Sequence, residues 1–561
     1  MAVPQGRQNW LQDGVYDLIV IGGGINGAGV ARDAAQRGLS VALLEKNDFA
    51  SGTTQAPTRL IHGGLRYLEY FEFGLVFESL QEREVLLRTA PHLVHPLPFV
   101  IPIYKHHKRG PLLVNLGMIL YDLLSFNKSL PRYRRLSAQK VLELEPGLDP
   151  RGLLGGVRYY DAQVDWPERL CLANVIAARE DGAYVRNYAE VIGLLGDAQS
   201  VSGVRVRERL SGKEYELRAR LVVNVSGPWA DHILRLRNPQ ESPRVFPTKG
   251  THLVVSSFAH APRHAIYIEA QSDGRPYFVV PWVGAILIGT TDDPYQDNQD
   301  DVRPLEAEAR YLLNEVNQIF PQARLSTEDV QHAYAGVRAL PMQRGKTTGA
   351  LSRRSFVHDH EKAEGVRGLI SIIGGKLTAY RNLAAEVVDL AQRKLQRHDL
   401  KPCRTQQTPL PGGDIPNLQK YFESEAPAAA HRYELQTEQV EHLIRLYGTR
   451  YTEVLALVEQ KPALGARLSK QTPHIAAQAA YAVERELAQR LSDFFVRRSG
   501  LVAYDADNET SVATVAKIFA ERLKWDSART QHEIEAWQDE RARLFKLQTT
   551  NPSASGAGAG D

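Results

Sequence analysis

Cysteine is nearly missing from this chain, with only Cys171 and Cys403 in 561 residues. Two cysteines make no disulfide framework and no Cys/His ligand spacing, so no metal is expected and a reducing compartment fits. Long apolar runs are missing too. No stretch reaches the roughly 18 uninterrupted apolar residues of a transmembrane helix, so any membrane contact is expected to be peripheral. Charge of one sign is not in excess: 68 Lys and Arg stand against 65 Asp and Glu, too even a balance for a nucleic-acid binder. Residues 1–14 lack the apolar core of a secretory signal and the arginine-rich, acid-free make-up of a transit peptide, and the chain reads as unprocessed. No internal repeat is evident. What is present is a 43% hydrophobic composition and length for roughly two to four domains with large cores.

The richest segment runs from Tyr16 to Glu45. Asp17 to Ile21 reads as a strand whose Leu18 to Ile21 form a continuous apolar run of the kind found in a parallel strand buried on both faces. Gly22, Gly24 and Gly27 follow as Gly-x-Gly-x-x-Gly. In that motif the first glycine makes a tight turn, the second lets backbone approach a pyrophosphate, and the third lets helix pack on strand. A helix is expected through Ala28 to Ala35 with a stop at Gly38, its N-terminus facing the phosphates. Ser40 to Leu44 returns as a strand, and Glu45, eighteen residues after Gly27, is placed to accept hydrogen bonds from both hydroxyls of an adenosine ribose. The spacing predicts a dinucleotide site but leaves nicotinamide and flavin open.

Further segments narrow the choice. Ser51 to Leu68 combines Thr53, Thr54, a histidine at 62, a glycine pair and two arginines in a loop suited to approach a cofactor. Leu221 to Trp229 reads as a strand entering a turn at Gly227. Tyr334 to Arg338 reads as a strand presenting its arginine at the end. Leu369 to Thr378 is a second strand and Gly-Gly leading into a helix at 382–390. Its lysine and helix N-terminus are suited to stabilising negative charge, such as that on a reduced isoalloxazine.

With these motifs in order, the chain resembles the FAD-dependent glycerol-3-phosphate dehydrogenases, respiratory enzymes of the D-amino-acid-oxidase-like superfamily, over roughly residues 15–544. The likeness rests on 21–29, 60–69, 227–230, 249–252 (Lys-Gly-Thr-His), 288–292 (Ile-Gly-Thr-Thr-Asp), 336–338 and 374–378. It implies noncovalent FAD, oxidation of sn-glycerol 3-phosphate to dihydroxyacetone phosphate, and electron transfer to a membrane quinone. It also implies a cytoplasmic location on the inner face of the membrane. Gly22, Gly24, Gly27, Glu45, Thr53, Thr54, Val191, Gly227, Gly375, Lys376 and Leu377 are the expected cofactor contacts. A phosphate monoester calls for guanidinium forks, assigned to Arg66 and Arg338, with Tyr67, Lys376 and Thr378 beside them. Hydride loss from C2 needs a base for the hydroxyl proton. His252 and His62 are the candidates, with His252 preferred and His62 expected against the flavin. The bland alternatives are an ion pair for Arg338, a solvated Lys376 and a core valine at 191.

Two departures from the family pattern stand out. Thr53-Thr54-Gln55-Ala56-Pro57-Thr58 and Arg59 replace a serine-rich run and lysine, and Ala339 replaces a proline after Gly-Val-Arg. Gln55 and Ala56 are expected where hydroxyls would face the flavin or pyrophosphate, and fine substrate specificity is the property at stake.

Residues 105–135 pose the membrane question. Lys105, Lys108 and Arg109 precede Leu112, Leu113, Leu116, Ile119, Leu120, Leu123 and Leu124 at helical spacing, and Lys128, Arg132, Arg134 and Arg135 follow. Basic flanks around an apolar stripe suit an interfacial helix. A core-packed amphipathic helix is the equal alternative.

The expected architecture is α/β. A Rossmann-like FAD-binding domain of the D-amino-acid-oxidase-like type is assembled discontinuously around an inserted mixed-sheet substrate domain, together covering 1–400. A linker at 401–413 leads to a helical C-terminal domain at 414–548, with helical patterns at 475–495, 512–523 and 527–544, and a tail at 549–561 is expected to be disordered. No binding motif marks the helical domain, which reads as a cap or an oligomerisation surface, a homodimer being the form considered. The rival functions are a glycerophosphate oxidase using O2, a catalytically silent FAD-binding protein at the membrane and, further off, a nicotinamide dehydrogenase.

Overall fold

The apolar run after Tyr16 forms the strand Tyr16–Ile21, buried from Leu18 onward and paired in parallel with Glu214–Asn224 on one side and Val41–Leu44 on the other. The chain is described here from a computed structural model covering residues 14–342, 354–504 and 509–549; the expected tail lies outside these residues except for its first. Across the sheet the order is Phe356–Asp359, Leu369–Ile373, Glu214–Asn224, Tyr16–Ile21, Val41–Leu44 and Tyr184–Arg186. Every neighbour is parallel except the first pair. Strands from four distant parts of the chain therefore share one sheet, the discontinuous assembly that the motif order implied. A hairpin of Ala189–Asp197 and Ser200–Glu208 joins the outer half of Glu214–Asn224.

Helices Ile25–Arg37, Pro167–Glu180 and Tyr380–Leu395 cover the sheet, sharing a core of Ala28, Ala31, Leu170, Val175, Leu383 and Val387. Small residues on the first helix permit this close approach. It ends where expected: Gly38 takes φ 102, a left-handed position that costs glycine little, and its N–H returns to Ala34 and Ala35.

The inserted part forms a second, ten-stranded mixed sheet. The long strands Val245–Ser256 and Val330–Pro341 pair antiparallel along most of their length, and Val94–Tyr104 pairs likewise with Leu153–Val164. Helix Glu306–Ile319 packs Leu312, Leu313 and Val316 against this sheet's apolar residues.

The segment 401–413 is irregular but held down: Arg32 donates to Thr408 O (2.8 Å) and Leu410 N to Thr89 O (2.8 Å). Beyond it the domain is helical, with Leu418–Tyr433, Thr437–Tyr447 and Tyr451–Gln460 leading the bundle. One expected helix differs. The apolar pattern at 475–495 splits into Ala476–Glu484 and a π-turn at Asp493–Arg498, because Leu487 takes φ 61 and Glu486 turns inward to pair with Arg169 (2.6 Å). Periodicity of apolar side chains registers neither event. The other two patterns become Glu509–Leu523 and Ser527–Phe545.

Candidate functional site

A cavity of about 920 Å³ opens at the carboxyl ends of the parallel strands and extends between the two sheets, where open α/β sheets place their ligands. Its first end is made largely of backbone. Gly22 turns the chain at φ 108, and a Cβ there would stand 2.6 Å from Val225 O. Gly24 caps helix Ile25–Arg37. Gly27 does not line the cavity; it lies beneath, where a Cβ would meet Gly22 O at 1.9 Å. Thr54 Oγ1 accepts from Ile25 N (3.0 Å), and Thr53 Oγ1 donates to Val337 O (2.5 Å). Glu45 accepts from Gly23 N (2.7 Å) and Asn47 N (2.8 Å), which fixes its carboxylate at the cavity edge. Burial pushes its carboxyl above the ordinary range, against the pull of those two amides. Val191, Gly227, Gly375, Lys376 and Leu377 complete the predicted lining.

The other end is made of side chains. Arg338 lies within strand Val330–Pro341, three residues before its last, rather than at a strand end. Its NH1 reaches Asp292 (3.0 Å) and its NH2 reaches Thr290 Oγ1 (2.9 Å) and Thr291 O (3.3 Å). Lys376 sits in the loop ahead of helix Tyr380–Leu395, not in its first turn; its Nζ is 3.7 Å from the Tyr67 ring centre and 3.2 Å from Ser79 Oγ. Arg66 faces the Tyr70 ring at 5.9 Å. The His62 ring meets Phe278 edge to face, and the His62 backbone N–H donates to Thr378 Oγ1 (3.2 Å). Thr378 thus holds the histidine loop from a buried position while lining the cavity.

His252 is buried against Tyr334, the rings stacked at 5.0 Å, with Nε2 2.9 Å from Thr58 Oγ1. Its Nδ1 has no hydrogen-bond partner among the described residues. Burial, then Arg338 and Arg59, push the imidazole well below its ordinary pKa, so it is neutral at neutral pH.

Sequence reasoning missed the partners of these groups. Thr58 and Tyr334 hold His252, and Thr290 and Asp292 hold Arg338, across gaps of 46 to 194 positions. Arg59 is a buried hub: it pairs with Glu168 (3.2 Å) and lies over the rings of Trp282 (4.3 Å) and Tyr334 (5.3 Å). Gln55 does not face the cavity; it accepts from Arg497 of the helical domain (3.3 Å). Ala56 does line the cavity and packs against Gly336, where a Cβ would approach it to 2.5 Å.

The residues present fit FAD. A helix N-terminus behind a glycine turn meets a pyrophosphate, a fixed acid meets a ribose, and the cavity is long enough to lead on to Lys376. Asn26 Oδ1, on the cavity wall beside the Gly374-Gly375 loop, is buried with no hydrogen-bond partner among the described residues. It is an unmet acceptor of the kind a ligand donor satisfies.

Beside the cavity lies an apolar surface. Helix Pro111–Leu124 buries only Met118 and Tyr121, and exposes Leu112 (86%), Leu113, Leu116, Ile119 and Leu123. Phe71 (79%), Phe73, Phe77 and Phe126 extend the patch, and Phe77 stacks on Phe126. The helix therefore packs one face on the core, through Val114, Met118, Tyr121 and Leu124, and leaves a second apolar face exposed. Tyr121 anchors it, donating to Asp161 (2.7 Å) and accepting from Gly63 N (2.9 Å) in the histidine loop. Lys105, Lys108, Arg134 and Arg135 are exposed, whereas Arg109 is paired with Glu69 and Glu269, and Lys128 with Asp122. No helix among the described residues is long and apolar enough to cross a membrane.

Comparisons with known proteins cover nearly the whole chain. Residues 17–381 match the family model of FAD dependent oxidoreductases, and residues 403–530 match that of the C-terminal domain of alpha-glycerophosphate oxidase. The chain is 42% identical over 542 residues to a glycerol-3-phosphate dehydrogenase of Synechocystis sp., covering 94% of this chain and 97% of that one. It is 33% identical to the aerobic glycerol-3-phosphate dehydrogenase of Staphylococcus saprophyticus over 89% of each. Among solved structures, the glycerol-3-phosphate dehydrogenase of Bacillus halodurans complexed with FAD superposes with a TM-score of 0.78 at 30% identity, covering 95% of both chains. The chain belongs to the FAD-dependent glycerol-3-phosphate dehydrogenase family of oxidoreductases.

Proposed function

We propose that this chain oxidises sn-glycerol 3-phosphate to dihydroxyacetone phosphate with FAD and passes the electrons to a membrane quinone. The observation that carries this reading is that one cavity joins a dinucleotide cradle to an end rich in guanidinium and ammonium groups. Bound FAD supplies the hydride acceptor. Arg338 and Arg66 bind the phosphate dianion in this reading, and Lys376, seated on the Tyr67 ring, adds positive charge beside them. His252 accepts the C2 hydroxyl proton at Nε2, the ring nitrogen now bonded to Thr58. It is unprotonated at neutral pH, as a base must be, although burial beside Arg338 and Arg59 weakens its basicity, and Tyr334 stacks on the ring. Thr378 keeps the His62 loop in place beside the reacting carbon.

The membrane contact is the exposed face of Pro111–Leu124 with the phenylalanines beside it. Apolar side chains enter the acyl boundary while Lys105, Lys108, Arg134 and Arg135 meet anionic headgroups. Tyr70 belongs to both surfaces, lining the cavity and standing 47% exposed next to Phe71, which supports quinone arrival from the bilayer side. Turnover with sn-glycerol 3-phosphate and a short-chain quinone tests the reading. Stoichiometric quinol without peroxide is expected, whereas peroxide at the rate of substrate loss would make the chain an oxidase.

A further inference from the structure

The helical C-terminal domain sends two consecutive arginines into the oxidoreductase region. Arg497 and Arg498 lie on the π-turn Asp493–Arg498. Adjacent side chains on an α-helix point about 100° apart, yet here both guanidiniums reach one carboxylate. Arg497 Nε stands 2.6 Å from Asp48 Oδ2, and Arg498 NH2 is 2.9 Å from Asp48 Oδ1 while its NH1 also bonds the carboxylate. Asp493 accepts from Arg497 NH2 (2.9 Å) and from the Tyr188 hydroxyl (2.6 Å), and Asn187 donates to Asp48 (2.9 Å). Two cations face two anions, all of them at most 5% exposed. Burial alone would raise the Asp48 carboxyl; Arg498 and Arg497 outweigh it and hold the group below the ordinary carboxylate range.

Asp48 comes three residues after Glu45. Arg497 also donates from NH1 to Gln55 (3.3 Å), so a single guanidinium holds both ends of the segment 48–55. Between those ends, Ser51, Gly52, Thr53 and Thr54 line the cavity, and Thr54 reaches the first amide of the phosphate-facing helix.

We propose that Arg497 and Arg498 are positioning residues for FAD, through which the C-terminal domain clamps the 48–55 loop in its cofactor-binding shape. A loop ordered in advance loses less conformational freedom when the cofactor binds. The clamp is independent of which substrate or electron acceptor the cavity serves.

The test uses the full-length protein, stripped of FAD and titrated with it by flavin fluorescence. Arg497→Gln removes the links from Arg497 to Asp48 and Gln55 and leaves Arg498 on Asp48. Its FAD Kd is expected to rise at least about 10-fold, with faster amide exchange at 48–55 and retained protection across 418–460. Arg497→Lys keeps the charge without the fork and is expected to fall between wild type and Arg497→Gln. Gln55→Ala removes one arm from a half-buried position, and is expected to raise Kd about 3-fold with an unchanged Tm for the FAD-free protein. Wild-type Kd in both Arg497→Gln and Gln55→Ala would overturn the proposal. So would a Kd change in Arg497→Gln that merely follows loss of protection throughout the helical domain. Should Arg497→Gln fail to fold, Gln55→Ala decides alone: a raised Kd supports the clamp and an unchanged one refutes it.

Discussion

At one end of the cavity the lining is glycine turns, a helix N-terminus and one fixed acid; at the other it is long side chains from strands and loops hundreds of residues apart. The first end is set by close approach: a Cβ would crowd Val225 O at Gly22, Thr54 Oγ1 at Gly24 and Gly22 O at Gly27. The second is set by charge, with Arg66, Arg338 and Lys376 lining the same cavity as the neutral His252. The difference teaches how each end should fail. Added volume destroys the first, whereas lost charge disables the second and leaves the fold and the flavin in place.

The largest effect is expected from Gly27→Ala, whose Cβ would stand 1.9 Å from Gly22 O. More than about 4 kcal/mol should be lost, seen as a lowered urea midpoint and a colourless protein. A yellow variant with the wild-type midpoint would break the idea that backbone approach governs this end. Next comes Arg338→Ala, expected to lower kcat/KM by roughly 100-fold or more while the flavin spectrum stays unchanged. Loss of flavin in that variant would show that the two ends do not fail separately.

A smaller effect is expected at the apolar surface. Replacing Leu116, Ile119 and Leu123 together with glutamine should weaken binding to anionic vesicles by about 10-fold or more, with turnover on a soluble acceptor held within about 2-fold. Equal vesicle binding would move the membrane contact elsewhere. The subtlest prediction concerns pH. A depressed pKa keeps His252 in its neutral, proton-accepting form well below the ordinary imidazole range. On the acid side, log kcat/KM should therefore fall with a slope of one, from the substrate phosphate near pH 6. A slope of two would mean that His252 titrates there as well.

The backbone end was legible in the sequence because its signals are local: strand, three glycines, helix and acid fall within Tyr16 to Glu45 and carry their own spacing. The discontinuous sheet also followed, since each of its central strands announces itself as an apolar run before a turn. The side-chain end was legible only as a set of residues. Nothing near Arg338 in sequence names Asp292 as its partner, nor does anything near His252 name Thr58, because antiparallel register and loop packing bring them together. Gln55 shows the limit most clearly. Read beside its neighbours it belongs to the flavin loop, but the structure turns it toward Arg497, more than four hundred residues away. The exposed leucines of Pro111–Leu124 were equally undecided by periodicity, since an amphipathic stripe has the same spacing whether protein or lipid covers it.

The most direct test of the central claim is to add sn-glycerol 3-phosphate without oxygen to the purified, flavin-loaded protein while recording its visible spectrum. Bleaching of the flavin band near 450 nm, absent with glycerol alone and reversed by quinone, is the predicted result. A flavin spectrum that stays oxidised at saturating substrate would contradict it, leaving a FAD-binding fold whose cationic end serves some other ligand.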